Sequence, residues 1–327
     1  MNPTILFKKN TRSVFFHITT HCNLSCRHCY IDPVQHGLGS IPLDQIMQWL
    51  TYLKKDNTDL VLLGGEPTLH PDLSEIVKFS RKLGFKSITI DTNGYLFHNI
   101  LNRVTPHDVD FFSFSLDGPD ASINDAIRGA DSFETCTKGI LAAREKGFSV
   151  SVIYTVSAMN LKSLNQMPVL IQKLDIQRFF IQVIGIRGNS SKNASNNQQI
   201  NYEQWMTHVP KVAKQVVQLG IPVTYPKVFL QKDEFFECAG RVADYFFVFP
   251  NGRVYQCPLC EDYPIHSYMI STDGLKKMPP INEQQFFDLS IPEGCVMNKI
   301  VQPGNISYDK EGKPMHQIAC CLLKEEA

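Results

Sequence analysis

Short hydrophobic runs alternate with longer amphipathic stretches over about the first two thirds of the chain. The runs are rich in β-branched and aromatic residues, and the stretches carry apolar residues at helical spacing. The runs predict six strands, at 13–20, 60–64, 87–91, 111–116, 149–156 and 178–184. The stretches predict helices at 43–55, 73–83, 133–146, 161–174 and 202–219. Strands that alternate with helices in this way indicate an α/β protein built from parallel βα units.

Six βα units are compatible with an open, doubly wound sheet and with a partial barrel, and periodicity alone does not separate the two. Near residue 230 the composition shifts to cysteine, proline and aromatic residues with little helical periodicity. We therefore expect two units, residues 1–230 and residues 231–327. The second would be a small, irregular domain held together by something other than a large hydrophobic core.

Charge and composition exclude several functional classes. The 32 basic and 32 acidic residues balance, and no Lys/Arg run exceeds two residues, so we expect no nucleic-acid partner. The sequence contains neither a signal-peptide pattern nor an apolar run long enough to cross a membrane, which favours a cytoplasmic protein with no membrane partner. Ten cysteines are many for that compartment, where disulfides rarely persist, so their spacing indicates metal or redox chemistry first.

Three cysteines, Cys22, Cys26 and Cys29, fall within eight residues directly after the first predicted strand. Loops at the carboxyl ends of strands carry the active sites of βα folds. Three thiolates on one loop suit three irons of a 4Fe-4S cubane and leave the fourth iron open to a substrate or cofactor. The alternatives are a zinc loop or three buried thiols, although zinc sites usually use paired Cys-x-x-Cys or Cys/His arms.

This loop resembles that of the radical S-adenosylmethionine (SAM) superfamily, Cys-x3-Cys-x-aromatic-Cys, with His28 at the aromatic position. After the second strand, Gly64-Gly65-Glu66-Pro67 matches the family's GGEP motif, in which the backbone and the glutamate hold the methionyl ammonium of SAM. Glycines allow a ligand to approach the backbone, and a carboxylate forms a charge-assisted hydrogen bond with a cation. By itself GGEP is also compatible with an ordinary βα turn.

Three further matches rest on resemblance alone. Thr92 and Asn93 end the third strand, and Ser115 with Asp117 ends the fourth, where family members bind the ribose and methionine parts of SAM. Arg128 matches an arginine that faces the SAM carboxylate. Each is equally compatible with local turn chemistry.

The resemblance implies a partial (β/α)6 radical SAM barrel with a small cysteine-rich C-terminal domain. It also implies an electron supplied by a reductant such as flavodoxin or ferredoxin. Cleavage of SAM would give a 5'-deoxyadenosyl radical, which abstracts hydrogen from the substrate. Cys22, Cys26 and Cys29 would be the cluster ligands. Exclusion of water and oxygen would be the protein's contribution, because cluster and SAM carry the difficult chemistry.

The C-terminal cysteines form a second group. Cys238-x13-Gly252-x4-Cys257 places a Pro-Asn-Gly turn between two thiols, and Cys260 follows at Cys-x-x-Cys spacing. This resembles the SPASM and twitch extensions of radical SAM enzymes, which bind auxiliary 4Fe-4S clusters. The further cysteine run of a full SPASM domain is missing after Cys260, so one auxiliary cluster is expected rather than two.

The expected auxiliary ligands are Cys238, Cys257 and Cys260; the fourth is Cys321, Cys320 or Cys295, or no fourth protein ligand exists. A structural zinc site built from the same thiols is the alternative. Cys136 lies in a predicted helix and is interpreted as a small buried side chain. The acids Glu261 and Asp262 are interpreted as solvated charges and not as general bases.

These features predict an enzyme that modifies a peptide or protein, because SPASM-like extensions are common in the family's maturases. Few residues precede Cys22, so we expect no N-terminal leader-binding domain and expect that a separate partner presents any peptide. The alternative is a twitch-type dehydrogenase of a small molecule. An alternative from another class is a non-enzymatic iron-sulfur or zinc protein, against which GGEP argues because an electron carrier needs no SAM pocket.

Overall fold

The computed structural model describes residues 4–5, 7, 10–192 and 198–326, and these form one mixed sheet surrounded by helices. The strands are β1 (Thr4–Ile5), β2 (Arg12–His17), β3 (Thr58–Leu63), β4 (Ser87–Thr92), β5 (Phe111–Ser115), β6 (Val150–Val156), β7 (Arg178–Val183), β8 (Val223–Pro226), β9 (Asp244–Val248), β10 (Arg253–Tyr255), β11 (Tyr268–Ser271), β12 (Gly274–Lys277) and β13 (Lys324–Glu326). The α-helices are α1 (Pro33–His36), α2 (Leu43–Leu53), α3 (Leu73–Lys82), α4 (Ile100–Arg103), α5 (Ala121–Arg128), α6 (Ser132–Glu145), α7 (Met167–Lys173), α8 (Asn189–Lys192), α9 (Tyr202–Val217), α10 (Ala239–Val242), α11 (Gln284–Phe287) and α12 (Val296–Val301).

The order of the strands distinguishes a doubly wound sheet from a partial barrel, the two architectures with which the sequence is compatible. From β2 to β8, each strand pairs in parallel with the next strand along the chain, so the order never reverses. A doubly wound sheet would contain a switch point, and a singly wound sheet is the arrangement of a (β/α) barrel. The described sheet ends at β1 on one side and β12 on the other, which makes the barrel partial and confirms the expected α/β fold class.

All six predicted strands are present, with ends that differ by a few residues from the prediction. The helices predicted at 43–55, 73–83, 133–146 and 202–219 correspond to α2, α3, α6 and α9. The helix predicted at 161–174 is divided into a 3-10 helix, Leu161–Gln166, and α7. Pro168 explains the division, because a proline is tolerated in the first turn of a helix and interrupts hydrogen bonding anywhere later.

The described C-terminal residues, 231–326, share this sheet. β9 lies beside β2 in parallel register, with Phe15 opposite Phe247, and these two rings stack with centroids 4.7 Å apart. β13 pairs with β8 at the other side of the barrel strands. The C-terminal segment therefore extends the barrel sheet at both ends and contributes to the same hydrophobic core. The division at residue 230 stays a prediction.

The barrel strands present two different faces. On β4, Ile88 and Ile90 are fully buried against helices, while Thr89 and Asp91 keep partial exposure on the other face. Alternate residues of a strand point to opposite faces, so the second set lines the interior of the barrel. In the described part of the chain, no helix is long and apolar enough to span a membrane.

Gly94 provides a test of the packing at the end of β4. Its φ is +94°, and a Cβ there would lie 2.6 Å from the Cα of Cys136 in α6. We expect Gly94→Ala to lower the free energy of unfolding by about 2–4 kcal/mol, through backbone strain and steric overlap together. Chemical denaturation measures the loss.

The matched control is Gly129→Ala, where φ is +114° and no atom lies within 4 Å of the added Cβ. Only backbone strain, about 1–2 kcal/mol, is expected there. Equal losses of unfolding free energy in the two variants would show that steric overlap with Cys136 does not contribute to the cost of Gly94→Ala.

Candidate active site

The loop that carries the first three cysteines is held by the turn after β3. The amide of Gly65 donates to the carbonyl of Thr19 (2.9 Å), and the amide of Glu66 donates to the carbonyl of His21 (2.8 Å). A Cβ at Gly65 would lie 2.3 Å from the carbonyl oxygen of His21, and one at Gly64 would lie 2.6 Å from that of Thr19. Here the close approach that the two glycines allow is made by the chain's own backbone.

Further contacts fix the three thiols. The side-chain amide nitrogen of Asn93 lies 3.9 Å from Cys22 Sγ, and the Cys26 thiol lies 3.8 Å from the Arg128 carbonyl oxygen. The Asn189 amide donates to the carbonyl of Cys29 (2.8 Å). Burial raises the pKa of Cys22 to about 11 and that of Cys26 to about 12, and it also raises the pKa of Cys29. Thiols in such surroundings ionise when a metal supplies positive charge.

Glu66 links the turn after β3 to the end of β4. Its Oε1 accepts hydrogen bonds from the Thr68 amide (3.1 Å), the Thr68 hydroxyl (2.5 Å) and the Thr92 hydroxyl (2.8 Å). Its Oε2 accepts one hydrogen bond from the backbone amide of Asn93 (2.7 Å). The side chain is 1% exposed, and burial raises its pKa. Glu66 is thus first an internal acceptor, and one lone pair of Oε2 stays available for a ligand.

Asp117 and Arg128, both predicted to contact SAM, are brought together by the structure. Asp117 is fully buried, and its Oδ2 lies 2.6 Å from Arg128 Nε and 3.4 Å from His28 Nε2. Its Oδ1 accepts from the Thr155 amide (2.7 Å). Burial by itself would lower the pKa of Arg128, but the attractions of Asp117, Cys26 and Cys136 together outweigh it and raise that pKa. The pair therefore supports the cysteine loop through His28, and both charges are already compensated. Ser115 keeps partial exposure at the end of β5.

A second polar cluster joins the cysteine loop to the C-terminal segment. Arg187, after β7, donates to the carboxylate of Glu261 and the carbonyl of Pro258, and its guanidinium lies 4.8 Å from the ring centroid of Tyr30. Glu261 is 1% exposed, so its interpretation as a solvated charge is wrong. Its burial is tolerated because Arg187 pairs with it. Asp262 accepts from the Gly188 amide (3.0 Å) and is half-buried.

His17, to which the sequence assigns no role, belongs to the same cluster. Its Nδ1 faces the Val248 carbonyl (3.0 Å), and its Nε2 faces the Tyr30 hydroxyl (2.7 Å). Because a carbonyl only accepts, Nδ1 donates and Nε2 accepts from Tyr30. Burial lowers the pKa of His17 to about 3, so the ring is neutral. Two strands, β2 and β9, are tied to the cysteine loop by this one side chain.

Most of the C-terminal cysteines line one cavity, part of which is open to solvent. Its walls include five thiols, from Cys238, Cys257, Cys295, Cys320 and Cys321. Cys260, predicted as a ligand, is fully buried and does not line the cavity. Cys295 lines it, although in the sequence it was only one of three alternatives for the fourth ligand.

Glu283 positions the Cys257 loop and was not identified from the sequence. Its carboxylate accepts from the amides of Gln256 (2.7 Å), Cys257 (3.0 Å) and Ser267 (3.1 Å). No sequence motif indicates this role, because the three amides lie 16 to 27 residues away along the chain. A buried carboxylate that accepts several backbone hydrogen bonds fixes the loop it caps.

The thiols present are the side chains that iron-sulfur clusters use as ligands. All ten cysteines are free of disulfides. In the ranges that the structure describes, no three His, Cys, Asp or Glu side chains are grouped to hold a single metal ion. A cubane bonds each thiolate to a different iron, so its ligands surround a volume and do not converge on one point. One loop offers three thiols, and the C-terminal cavity offers five.

Comparison with known proteins agrees with this geometry. Residues 16–167 match the radical SAM superfamily. A pre-heme d1 synthase from Dinoroseobacter shibae is 28% identical over 184 residues, 55% of this chain and 45% of that protein. The mycofactocin maturase MftC from Mycobacterium tuberculosis is 25% identical over 304 residues, 85% of this chain and 72% of that protein. The matches to the first three curated relatives span 45%, 60% and 42% of their lengths.

The fold is also similar to that of solved structures. SuiB from Streptococcus suis, bound to its precursor peptide SuiA, has a TM-score of 0.65 and 14% identity. The superposition covers 89% of this chain and 65% of SuiB. At this identity the likeness concerns the fold, which is the α/β fold of radical SAM proteins. The chain therefore carries a radical SAM domain, at residues 16–167.

Proposed function

We propose that this enzyme modifies a peptide or protein and uses one auxiliary 4Fe-4S cluster, held in a twitch-like C-terminal segment. The observation that carries the proposal is the extent of the match to the maturase MftC. It covers 85% of this chain and so extends past the radical SAM domain into the cysteine-rich segment. The fold shared with SuiB, solved with a precursor peptide, supports the same class of substrate. A cytoplasmic location is part of this proposal.

In this proposal Cys22, Cys26 and Cys29 hold the first cluster, and reductive cleavage of SAM at that cluster supplies the radical that abstracts hydrogen from the substrate. The protein's own residues orient SAM and exclude water and oxygen from the site. The turn from Gly64 to Pro67, with the free lone pair of Glu66, receives the ammonium of SAM. Ser115, Thr92 and Asn93 line the neighbouring strand ends, where they would face the rest of SAM.

Asp117 and Arg128 have a different proposed role from the one that resemblance assigns. Both are nearly inaccessible, and each compensates the other's charge. Opening such a pair for a ligand would leave an unpaired buried charge, which costs several kcal/mol, about 3–5. We infer that the pair positions His28 and the cysteine loop and does not bind SAM directly.

The proposed auxiliary ligands are Cys238, Cys257, Cys295 and one thiol of the Cys320–Cys321 pair. All of them line the same cavity, whose walls also include Phe236, Phe286 and Phe287. Burial raises the pKa of Cys295 to about 12, so its thiolate needs a metal to form. Cys260 is left outside this set and hydrogen bonds with the Cys257 thiol.

A second candidate function is the modification of a tetrapyrrole or another small molecule. The curated relatives with this kind of name include an AdoMet-dependent heme synthase and an Fe-coproporphyrin III synthase, both from Methanosarcina barkeri. Their matches cover 62% and 61% of this chain, less than the maturase match. The maturase and the tetrapyrrole enzymes share the match to the radical SAM domain. Only the match to the C-terminal part of this chain therefore favours a peptide substrate.

Cluster content tests the first part of the proposal. Anaerobically reconstituted protein is expected to hold about eight irons, and Cys22→Ala/Cys26→Ala/Cys29→Ala about four. SAM should perturb the EPR signal of the reduced wild type and leave that of the triple variant unchanged. Cys136→Ala is the control, because Cys136 is buried in α6 with its thiol against the Ser115 carbonyl and belongs to neither cysteine group, so its loss should not change the iron content. Zinc in both proteins, with no response to SAM, would refute the cluster assignment.

The auxiliary ligand set has its own test. Cys295→Ala should lose about four irons, whereas Cys260→Ala should keep about eight, because only Cys295 lines the cavity. Iron analysis and EPR of the two variants, measured side by side, give the answer. The reverse pattern would restore Cys260 as the ligand and contradict the proposed set.

Substrate class is tested by 5'-deoxyadenosine release. With reductant and SAM, the enzyme should release more 5'-deoxyadenosine with a peptide pool than with matched pools of cyclitols or iron coproporphyrin. The increase over the substrate-free rate should be at least tenfold, because a bound substrate is required for productive hydrogen abstraction. Stimulation by the porphyrin pool alone would favour the second candidate function.

A further inference from the structure

One polar row crosses the interior face of the barrel and belongs to none of the sites above. Asp91 on β4 lies opposite Ser113 on β5, and Ser113 lies opposite Ser151 on β6. The neighbours of Asp91 on its strand, Ile90 and Thr92, lie on the opposite face of the strand and are buried. Asp91 keeps partial solvent exposure, so the row begins at an accessible side chain and continues inward.

One of the two hydroxyls of this row has no hydrogen-bond partner. Ser113 and Ser151 are each 1% exposed; the Ser113 hydroxyl interacts with the Asp91 carboxyl group, whereas Ser151 Oγ has no partner in the described structure. A buried hydroxyl without a partner costs about 1–3 kcal/mol, and such groups are rare. An unpaired hydroxyl on the same row as a carboxyl group indicates a place where another molecule supplies the missing partner.

Asp91 itself has no positive charge beside it. Burial, followed by repulsion from Glu66, raises its pKa to about 7, and the nearby Ser113 hydroxyl opposes this only in part. None of the Lys, Arg or His side chains in the described ranges forms an ion pair with it. Arg178 continues the row beyond Ser151, but its guanidinium lies 4.7 Å from the ring centroid of Phe111.

We propose that Asp91, Ser113 and Ser151 form a binding site for a cationic nitrogen group, an ammonium or a guanidinium, of the substrate. The carboxylate supplies the opposite charge, and the hydroxyls supply oxygen acceptors for the remaining N–H groups. In a peptide substrate, a lysine or arginine side chain carries such a group. This inference rests on the proposed function, because it assigns the barrel interior to the substrate.

Binding of a simple cation tests the site without any turnover. n-Butylammonium chloride is titrated calorimetrically at pH 8 into the anaerobically reconstituted enzyme, with 1-butanol as the neutral probe of the same chain length. We expect the ammonium to bind at least tenfold more tightly than the alcohol. Asp91→Asn should remove this preference, and Ser113→Ala should weaken ammonium binding about threefold or more.

The control variant is Asp120→Asn. Asp120 is exposed and caps α5, a role that asparagine also fulfils, so binding should not change. In protein labelled with ¹³C at the aspartate carboxyl carbons, the signal that Asp91→Asn removes should be the one that moves when n-butylammonium is added. Equal binding by wild type and Asp91→Asn, or no binding by wild type, would overturn the site.

A second arm of the titration identifies the source of the cation. If saturating SAM leaves n-butylammonium binding intact, the site belongs to the substrate, as proposed. If SAM displaces the probe, the row serves the ammonium of SAM and the substrate assignment is wrong. Failure of the proposed function appears differently, as an absence of peptide-stimulated 5'-deoxyadenosine release, which this titration does not measure.

Discussion

The candidate active site depends on one close backbone contact, between residues 19–21 and the Gly64-Gly65-Glu66 turn. Two amides of the turn donate to two carbonyls of the loop, at a separation that no Cβ at either glycine would allow. This contact fixes the start of the loop that carries Cys22, Cys26 and Cys29. Glu66 then transmits the position of the turn to the end of β4, through hydrogen bonds to Thr92 and Asn93. Asn93 in turn reaches Cys22, so the GGEP segment and the cysteine loop form one unit.

The parts of this arrangement that local sequence determines could be predicted. Strand and helix periods are local properties, and the six barrel strands follow from them. The spacing of the first three cysteines and the GGEP turn are also local. What the sequence did not reveal is the reason for the glycines: they accommodate the chain's own backbone, which comes from residues more than forty positions earlier.

Contacts between segments that are distant in the sequence could not be predicted from it. The parallel pairing of β9 with β2 joins segments that are more than two hundred residues apart, and no periodicity indicates it. The same holds for the ion pair of Arg187 and Glu261. Because the sequence does not show this pair, Glu261 was predicted to be a solvated charge on the surface. Cys295 could not be ranked above Cys260 because the cavity is assembled from separate segments of the chain. The Cys-x-x-Cys spacing of Cys257 and Cys260 is a turn feature and does not require that both thiols face one cavity.

The buried acids of the barrel can be separated by how well their surroundings compensate them. Glu66 accepts four hydrogen bonds, and Asp117 pairs with Arg128 and His28, so both are stabilised by the folded chain itself. Asp91 has no cation beside it and interacts only with the Ser113 hydroxyl, and the next hydroxyl on the row, that of Ser151, is unpaired. Folding tolerates an uncompensated polar group at a free-energy cost, and such groups cluster at functional sites. The residues that hold the cysteine loop are therefore the compensated ones, and the interior row of Asp91 is the part of the barrel that a ligand would complete.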